Sequence, residues 1–187
     1  MRKGPRGKVW GMTTTMTASD LLTDHFGRVD GLVHDVLDGL TESDLARRPV
    51  VSAADHPGNP IGWLVWHLLR VQDDHVAEAF GTGQVWTDDG WAGRFGLDLD
   101  PSDTGFGHTS AQVDAVRTTA DLLVGYGEAV HSRTVGHLRQ LSDGDLARVL
   151  PPTHGEGVTL GERLVSVLGD DLQHAGQAAY VRGLFGL

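Results

Sequence analysis

Cysteine is absent from the 187 residues, and its absence removes disulfides, a thiolate nucleophile and every cysteine-based zinc site. Metal chemistry in this chain must therefore run through histidine and carboxylates. No apolar run approaches the roughly 18 to 20 residues of a membrane-spanning helix. The N-terminal stretch MRKGPRGKVWGM is basic but has no apolar signal core, so a cytoplasmic protein with no membrane partner is expected. Positive charge is scarce as well: 15 Lys and Arg stand against 25 Asp and Glu, for a net charge of -10. That balance repels polyanions, and no basic cluster interleaves with aromatics, so no nucleic-acid partner is expected. Alternating strand patterns are missing too, and they leave an all-α fold.

What is present suits a globular chain, with 40% hydrophobic and 21% charged residues. This length buries a core without disulfides or structural metal, so a bound ion would serve chemistry rather than folding. Residues 1–16 show no periodicity and carry Gly4, Pro5, Gly7 and Gly11; they read as a flexible extension before a single domain over 17–187.

Leu22, Phe26, Val29, Val33, Val36 and Leu40 recur at helical spacing behind a Thr17/Asp20 capping box, which predicts a first long helix. Thr41 and Asp44 repeat that pattern for a short turn, TESDLARR, ended by Pro49. After a breaker-rich loop, VSAADHPGN, Asn59 and Pro60 supply an N-cap and a first helical residue for a second helix to about Phe80. A third helix places Val113, Val116, Ala120, Leu123, Val130 and Thr134 on one side. Thr159 and Glu162 then box the start of a last helix that reaches the C-terminus. LTESDLAR (Leu40 to Arg47) and LSDGDLAR (Leu141 to Arg148) align without a gap, so the expected four-helix bundle is built from two similar helix pairs with short connections inside each, an antiparallel type of bundle.

Residues 81–108 form a long loop between the second and third helices. They are rich in Gly and Asp yet hold Trp86, Trp91, Phe95 and Phe106. Such a loop either plugs a gap over the bundle with its aromatics or covers a substrate.

On the last helix, Asp170 and His174 are four residues apart and share a face, the spacing at which two side chains clamp one ion. The pair lies near the apolar stripe of Leu160, Leu164, Val167, Ala178 and Val181, so His174 should point inward and requires a partner there. His67, at the edge of the second helix's stripe of Ile61, Leu64, Leu68 and Val71, is the candidate. Three ligands from two helices leave coordination positions open, as a catalytic zinc site does. Asp171 is a rival ligand to Asp170 by spacing alone. Asp73, Asp74 and His75 read as solvated or supporting groups, and His131, His137 and Arg182 as surface or packing residues. Gly176 is expected to allow a close helix approach, Gln177 to hydrogen-bond near the site, and Ser166 has no evident base.

WLVWHLLRVQDDH on the second helix, together with DLQHAGQAAYVRGLF on the last, resembles the DinB-like superfamily over about Thr17 to Leu187. That superfamily includes the mycothiol- and bacillithiol-dependent transferases and the metal-binding domain of mycothiol-dependent maleylpyruvate isomerase. Its signature of a ligand, three residues, then His-x-Gly-Gln matches Asp170 and His174-Ala175-Gly176-Gln177. His67 matches its single His on the second helix. The departure is Asp170, where many members carry His and the isomerases Glu; Asp is one methylene shorter than Glu. The resemblance implies a divalent ion, zinc, with nickel or another divalent ion as alternatives. It also implies a transferase or isomerase activity with a low-molecular-weight thiol and a small electrophilic substrate, and a homodimer. The composition, rich in Gly, Asp, Val, Leu and Arg and poor in Lys, is that of a GC-rich coding sequence, and with the resemblance it favours mycothiol. Two alternatives stand beside this expectation: a metal-dependent hydrolase, and a non-catalytic metal-binding, stress-associated bundle.

Overall fold

The computed structural model describes residues 15–50, 57–151 and 157–187. The expected N-terminal extension lies almost wholly outside them, as do parts of the loops before the second and last long helices. Among the described residues the chain is all-helical, with one isolated bridge between Val149 and Thr159. In chain order the helices are α1 (Ala18–Leu37), α2 (Glu42–Ala46), α3 (Ile61–Phe80), α4 (Val85–Asp88), α5 (Trp91–Phe95), α6 (Ser110–Ala115), α7 (Ala120–Leu138) and α8 (Leu160–Phe185), with a 3₁₀ turn at Asp143–Ala147 before α8. None is long and apolar enough to cross a membrane.

Local chemistry sets the starts. Thr17 with Asp20, Thr41 with Asp44 and Thr159 with Glu162 form reciprocal capping boxes, each satisfying two backbone N–H groups that the helix leaves orphaned. Pro60 serves as N-cap of α3 rather than as its first residue, because its extended ψ of 158° lies outside the helix.

The third helix departs from expectation. It breaks at 116–119, and Thr119 caps a fresh start by accepting from Leu122 N–H. Val113, Val116, Leu123 and Val130 are buried on both sides of the break, so the apolar register continues across it and conceals it in the sequence.

Each long helix packs on two others: α3 against α7 and α8, and α1 against α7 and α8. Within each pair, α1 with α3 and α7 with α8, the two long helices thus sit across the diagonals, not side by side as short connections would require. The connections 38–60 and 139–159 each contain a helical turn and are long enough to cross. The repeated octapeptide holds in three dimensions. Leu45 in α2 lays its carbonyl oxygen 3.0 Å from where a Cβ on Gly62 would sit, and Leu146 in the 3₁₀ turn lies 3.3 Å from the same point on Gly161. A Cβ at either glycine would push the facing backbone away by a few tenths of an ångström. The terminal arginines of the repeat reach across to the opposite pair: Arg47 lies over the Phe185 ring at the end of α8, and Arg148 donates to the Ala79 carbonyl at the end of α3.

α3 is buried on nearly every side from Ile61 to Arg70, as a helix covered all round must be. The segment 81–108 supplies part of the cover. Its first half is not structureless: α4 and α5 bring Trp86 and Phe95 into the core beside Tyr126, with ring centroids 5.2 and 5.9 Å away. Of the two roles open to this loop, the plug describes its first half. Two apolar clusters fill the bundle, one ending at Leu69 and Val130 and resuming on α8 at Ala175, the other holding Val76, Leu138 and Leu168. Between them lies a polar layer that includes Arg70, Gln72, Asp73, Thr134, Asp170, Asp171 and His174, and the site is in this layer.

Candidate metal centre

α3 carries His67 and α8 carries Asp170 and His174 into the polar layer, where one donor atom from each lies within 4.8 Å of the others. The imidazole rings of His67 and His174 meet edge to face, with centroids 4.7 Å apart, and His174 Nε2 is 3.6 Å from Asp170 Oδ1. That separation is close to the roughly 3.4 Å between neighbouring ligand atoms of a tetrahedral ion with bonds of about 2.1 Å, so Asp170 and His174 are spaced as two ligands of one ion would be.

Both rings are tethered through the same nitrogen. His67 Nδ1 is 2.5 Å from the Thr104 carbonyl oxygen, and His174 Nδ1 is 2.9 Å from Gln177 Oε1. A carbonyl oxygen only accepts, so Nδ1 carries the proton in each ring and Nε2 keeps a free lone pair. This is how ligating histidines are oriented in metalloproteins. Burial holds His67 below its ordinary value of 6.5, opposed by the Thr104 carbonyl, and keeps it neutral at pH 7. Asp170 Oδ2 is buried without a hydrogen-bond partner among the described residues. An acceptor-only oxygen left unpaired beside two free imidazole lone pairs fits a cation.

Asp171 is not part of this convergence. It is fully buried on the inner face of α8, and neither carboxylate oxygen has a hydrogen-bond partner among the described residues. Burial, with the charge of Asp170 second, pushes its carboxyl well above the ordinary 3.8. A group with a raised folded-state pKa contributes most to stability below 3.8 and loses that contribution as pH rises through its folded value. Asp171→Leu is therefore expected to stabilise the metal-free protein by about 1–3 kcal/mol near pH 7, with a smaller gain at pH 5 than at pH 8. Urea unfolding at the two pH values checks this; a loss of stability, or a gain independent of pH, would contradict it.

Among the described residues, the other histidines and Arg182 are not part of the convergence. His75 lines the same cavity as His67 and Asp170, with Asp74 3.7 Å, Glu78 3.9 Å and Arg163 3.5 Å from its Nδ1. His137 stacks on Phe80 and Arg182 donates to the Val36 and Asp38 carbonyls at the end of α1; His131 lies against Gly27. Ser166 is exposed. Gly176 is corrected: a Cβ there would meet open space, because the helical step that turns Asp171, Ala175 and Ala178 inward turns Gly176 outward.

The sequence did not reveal the buried group that anchors the long loop. Asp73 accepts from Val85 N–H, Trp86 N–H and Tyr126 Oη–H at 2.8, 2.7 and 2.8 Å, and Arg70 Nη1 lies 3.5 Å away. Burial pushes its carboxyl up while those donors and the Arg70 charge hold it down. Arg70, fully buried, donates to the Asp103 and Pro101 carbonyls and to Tyr126 Oη. Through this pair α3 fixes both α4 and the segment that meets His67. The three hydrogen-bond donors to Asp73 are 12 or more residues away, and no local pattern announces them.

A cavity of about 730 Å³ opens on the site, lined by His67, Val71, Asp74, His75, Ser102, Thr104, Phe106 and Asp170. Phe106 is 91% exposed between Gly105 (φ 92°) and Gly107 (φ 73°). So the second half of the long loop edges the cavity while the first half plugs the core.

The same architecture occurs in solved structures. A conserved protein from Enterococcus faecalis superposes with a TM-score of 0.77 at 26% identity, covering 92% of this chain and 100% of that one. A DinB-like protein from Bacillus cereus ATCC 10987 shares the fold, with a TM-score of 0.61 at 17% identity over 92% and 95% of the two chains. A comparison with curated proteins finds no match. The family model of the DinB superfamily matches residues 25–178, a span that contains His67, Asp170 and His174. With that match over most of its length, a helical fold shared with DinB-like structures and a His/Asp/His group suited to a cation, the chain belongs to the metal-binding DinB superfamily.

Proposed function

We propose that this chain is a metal-dependent transferase that uses a low-molecular-weight thiol, mycothiol, as cosubstrate, with zinc held by His67, Asp170 and His174. The observation that carries this reading is the convergence of two Nδ1-tethered imidazoles and a half-buried carboxylate, one oxygen of which is buried and unpaired among the described residues, at the edge of a large open cavity. A donor set of two nitrogens and one oxygen suits zinc. A divalent ion there supplies Lewis acidity that favours the thiolate form of a bound thiol.

The protein brings no cysteine, in keeping with a thiol that arrives as a substrate. Among the described residues that line the cavity there is no lysine or arginine, and Asp74 and Asp170 are acidic. Thiols bearing carboxylates would meet like charge on these walls, whereas Ser102, Thr104, Asp74 and His75 offer donors and acceptors to a neutral, hydroxyl-rich one. Val71 and the Phe106 ring give the electrophile an apolar seat. In the transfer, sulfur forms one bond to the electrophilic carbon, the leaving group departs with the bonding pair, and the thiol proton passes to water.

The test uses zinc-loaded protein and 1-chloro-2,4-dinitrobenzene, with mycothiol, with glutathione and without thiol. Turnover is expected with mycothiol alone, and Phe106→Ala is expected to lower kcat/KM by about tenfold or more through lost ring contact. Thiol-independent ester cleavage would assign the site to hydrolysis instead. Metal binding without turnover by any thiol would assign it to a binding protein.

A further inference from the structure

We infer that Asp103 and His108 are positioning residues that lock a strap of chain, 103–108, across α3, and that through the Thr104 carbonyl this strap fixes the orientation and tautomer of His67. The inference rests on the reading of His67 as a metal ligand, and it assigns work to a loop that the convergence of ligands does not itself explain.

The strap is closed by a chain of hydrogen bonds with a defined direction. Trp63, one turn before His67 on α3, stacks on the His67 ring at 4.7 Å and 14°, and its indole Nε1–H points to His108 Nδ1 at 3.1 Å. An indole N–H only donates, so His108 Nδ1 accepts and Nε2 carries the proton. That proton is directed at the Asp103 carboxylate, 2.9 and 3.0 Å away. Asp103 Oδ1 also accepts from Gly105 N–H at 2.7 Å. The His108 side chain is 3% exposed and stacks on Trp66, and Arg70 holds the Asp103 carbonyl from below. Asp103 and His108 are thus joined to each other and to α3. Between them lies Thr104, whose carbonyl receives His67 Nδ1.

Gly105 shows how closely the strap is laid down. It has φ 92°, and a Cβ there would sit 2.9 Å from His67 Nδ1, 3.0 Å from the Trp66 ring and 3.2 Å from the Trp63 ring. A side chain at this position would lift the backbone off the rings it orients. Indole, imidazole and strap form one packed unit in which His67 is free neither to flip nor to place its proton on Nε2. Without the Asp103–His108 lock, the Thr104 carbonyl has no fixed position against the imidazole. Groups that orient a ligating histidine in this way commonly contribute tenfold to a hundredfold in metal affinity.

The alternative is a relay that only secures a loop, and the experiment separates the two. Zinc affinity is measured by chelator competition for the full-length wild type and for Asp103→Ala, Gly105→Ala, Asp103→Asn and Asp89→Ala, at a temperature where circular dichroism shows each to be folded. The His67 tautomer is read in the metal-free proteins by long-range ¹H–¹⁵N NMR. Asp89→Ala is the loop control, since it breaks only the ion pair to Arg133 on α7. Asp103→Ala and Gly105→Ala should each weaken zinc binding by about tenfold to a hundredfold and populate the Nε2–H tautomer. Asp103→Asn, which keeps one accepting oxygen, should recover part of the loss, and Asp89→Ala should match the wild type. Gly105→Ala removes no hydrogen-bonding group and carries the test if Asp103→Ala folds poorly. Wild-type affinity and an unchanged tautomer in both variants would overturn the inference. If the wild type itself binds no zinc, the ligand reading of His67 fails, and the tautomer measurement still decides whether the strap positions the ring.

Discussion

Replacing His174 by alanine is expected to weaken zinc binding by at least about a hundredfold, beyond the range seen when only an orienting neighbour is lost. His174 lies at the centre of the convergence. Its Nδ1 is tied to Gln177, its Nε2 lies 3.6 Å from Asp170 Oδ1, and its ring meets that of His67. Removing it leaves one imidazole and one carboxylate on separate helices, too few for a firmly held ion. His67→Ala should behave similarly. Asp170→Asn should lose less, because the amide oxygen can still reach the ion although the charge is gone. Affinity should also fall with pH, since coordination requires the neutral imidazole and protons compete for it. Burial lowers the His67 proton affinity, so competition at this ring begins below 6.5 rather than at it. Chelator competition at pH 7.5 and pH 5.5 checks both points; affinity unchanged in His174→Ala would contradict the assignment.

The second large effect concerns the anchor beneath the site. Asp73→Ala is expected to destabilise the fold by about 3–5 kcal/mol, the usual cost of removing one partner of a buried ion pair. Arg70 would stay fully buried without its carboxylate, and the N–H groups of Val85 and Trp86 would lose their acceptor. For a chain of this size that loss corresponds to a fall in Tm on the order of 10 °C. Urea and thermal unfolding measure it. A change under about 1 kcal/mol would show that the Arg70–Asp73–Tyr126 group is dispensable to the fold. Because Arg70 also holds the Asp103 carbonyl, the strap over His67 should loosen as the anchor is lost.

What the sequence discloses about this protein follows the range of its interactions. The Thr17/Asp20, Thr41/Asp44 and Thr159/Glu162 boxes act within one helical turn, so the helix starts are legible directly. Asp170 and His174 are legible for the same reason, since four residues on a helix are spatial neighbours. His67 could be named only because its helix showed a stripe and because the chain resembled a family. The groups that orient His67 could not be read: the Thr104 carbonyl is 37 residues away and His108 is 45 residues from Trp63. A backbone carbonyl also has no side-chain identity to recognise. The break between α6 and α7 was hidden because Val113, Val116 and Leu123 keep one apolar register through it. The diagonal placement of the two long helices within each pair was likewise illegible, for connection length decides it only when the connection contains no helix of its own. Gly176 misled because composition suggests close packing, while its angular position on α8 faces it outward.

The central claim, that His67, Asp170 and His174 together hold one divalent ion, is tested most directly by a crystal structure of the zinc-loaded protein with anomalous scattering collected at the zinc edge. The account predicts a single strong peak bounded by His67 Nε2, His174 Nε2 and the Asp170 carboxylate, with Nδ1 of each histidine still on Thr104 and Gln177. Absence of a peak at that position, in crystals of protein given a stoichiometric excess of zinc, would contradict it.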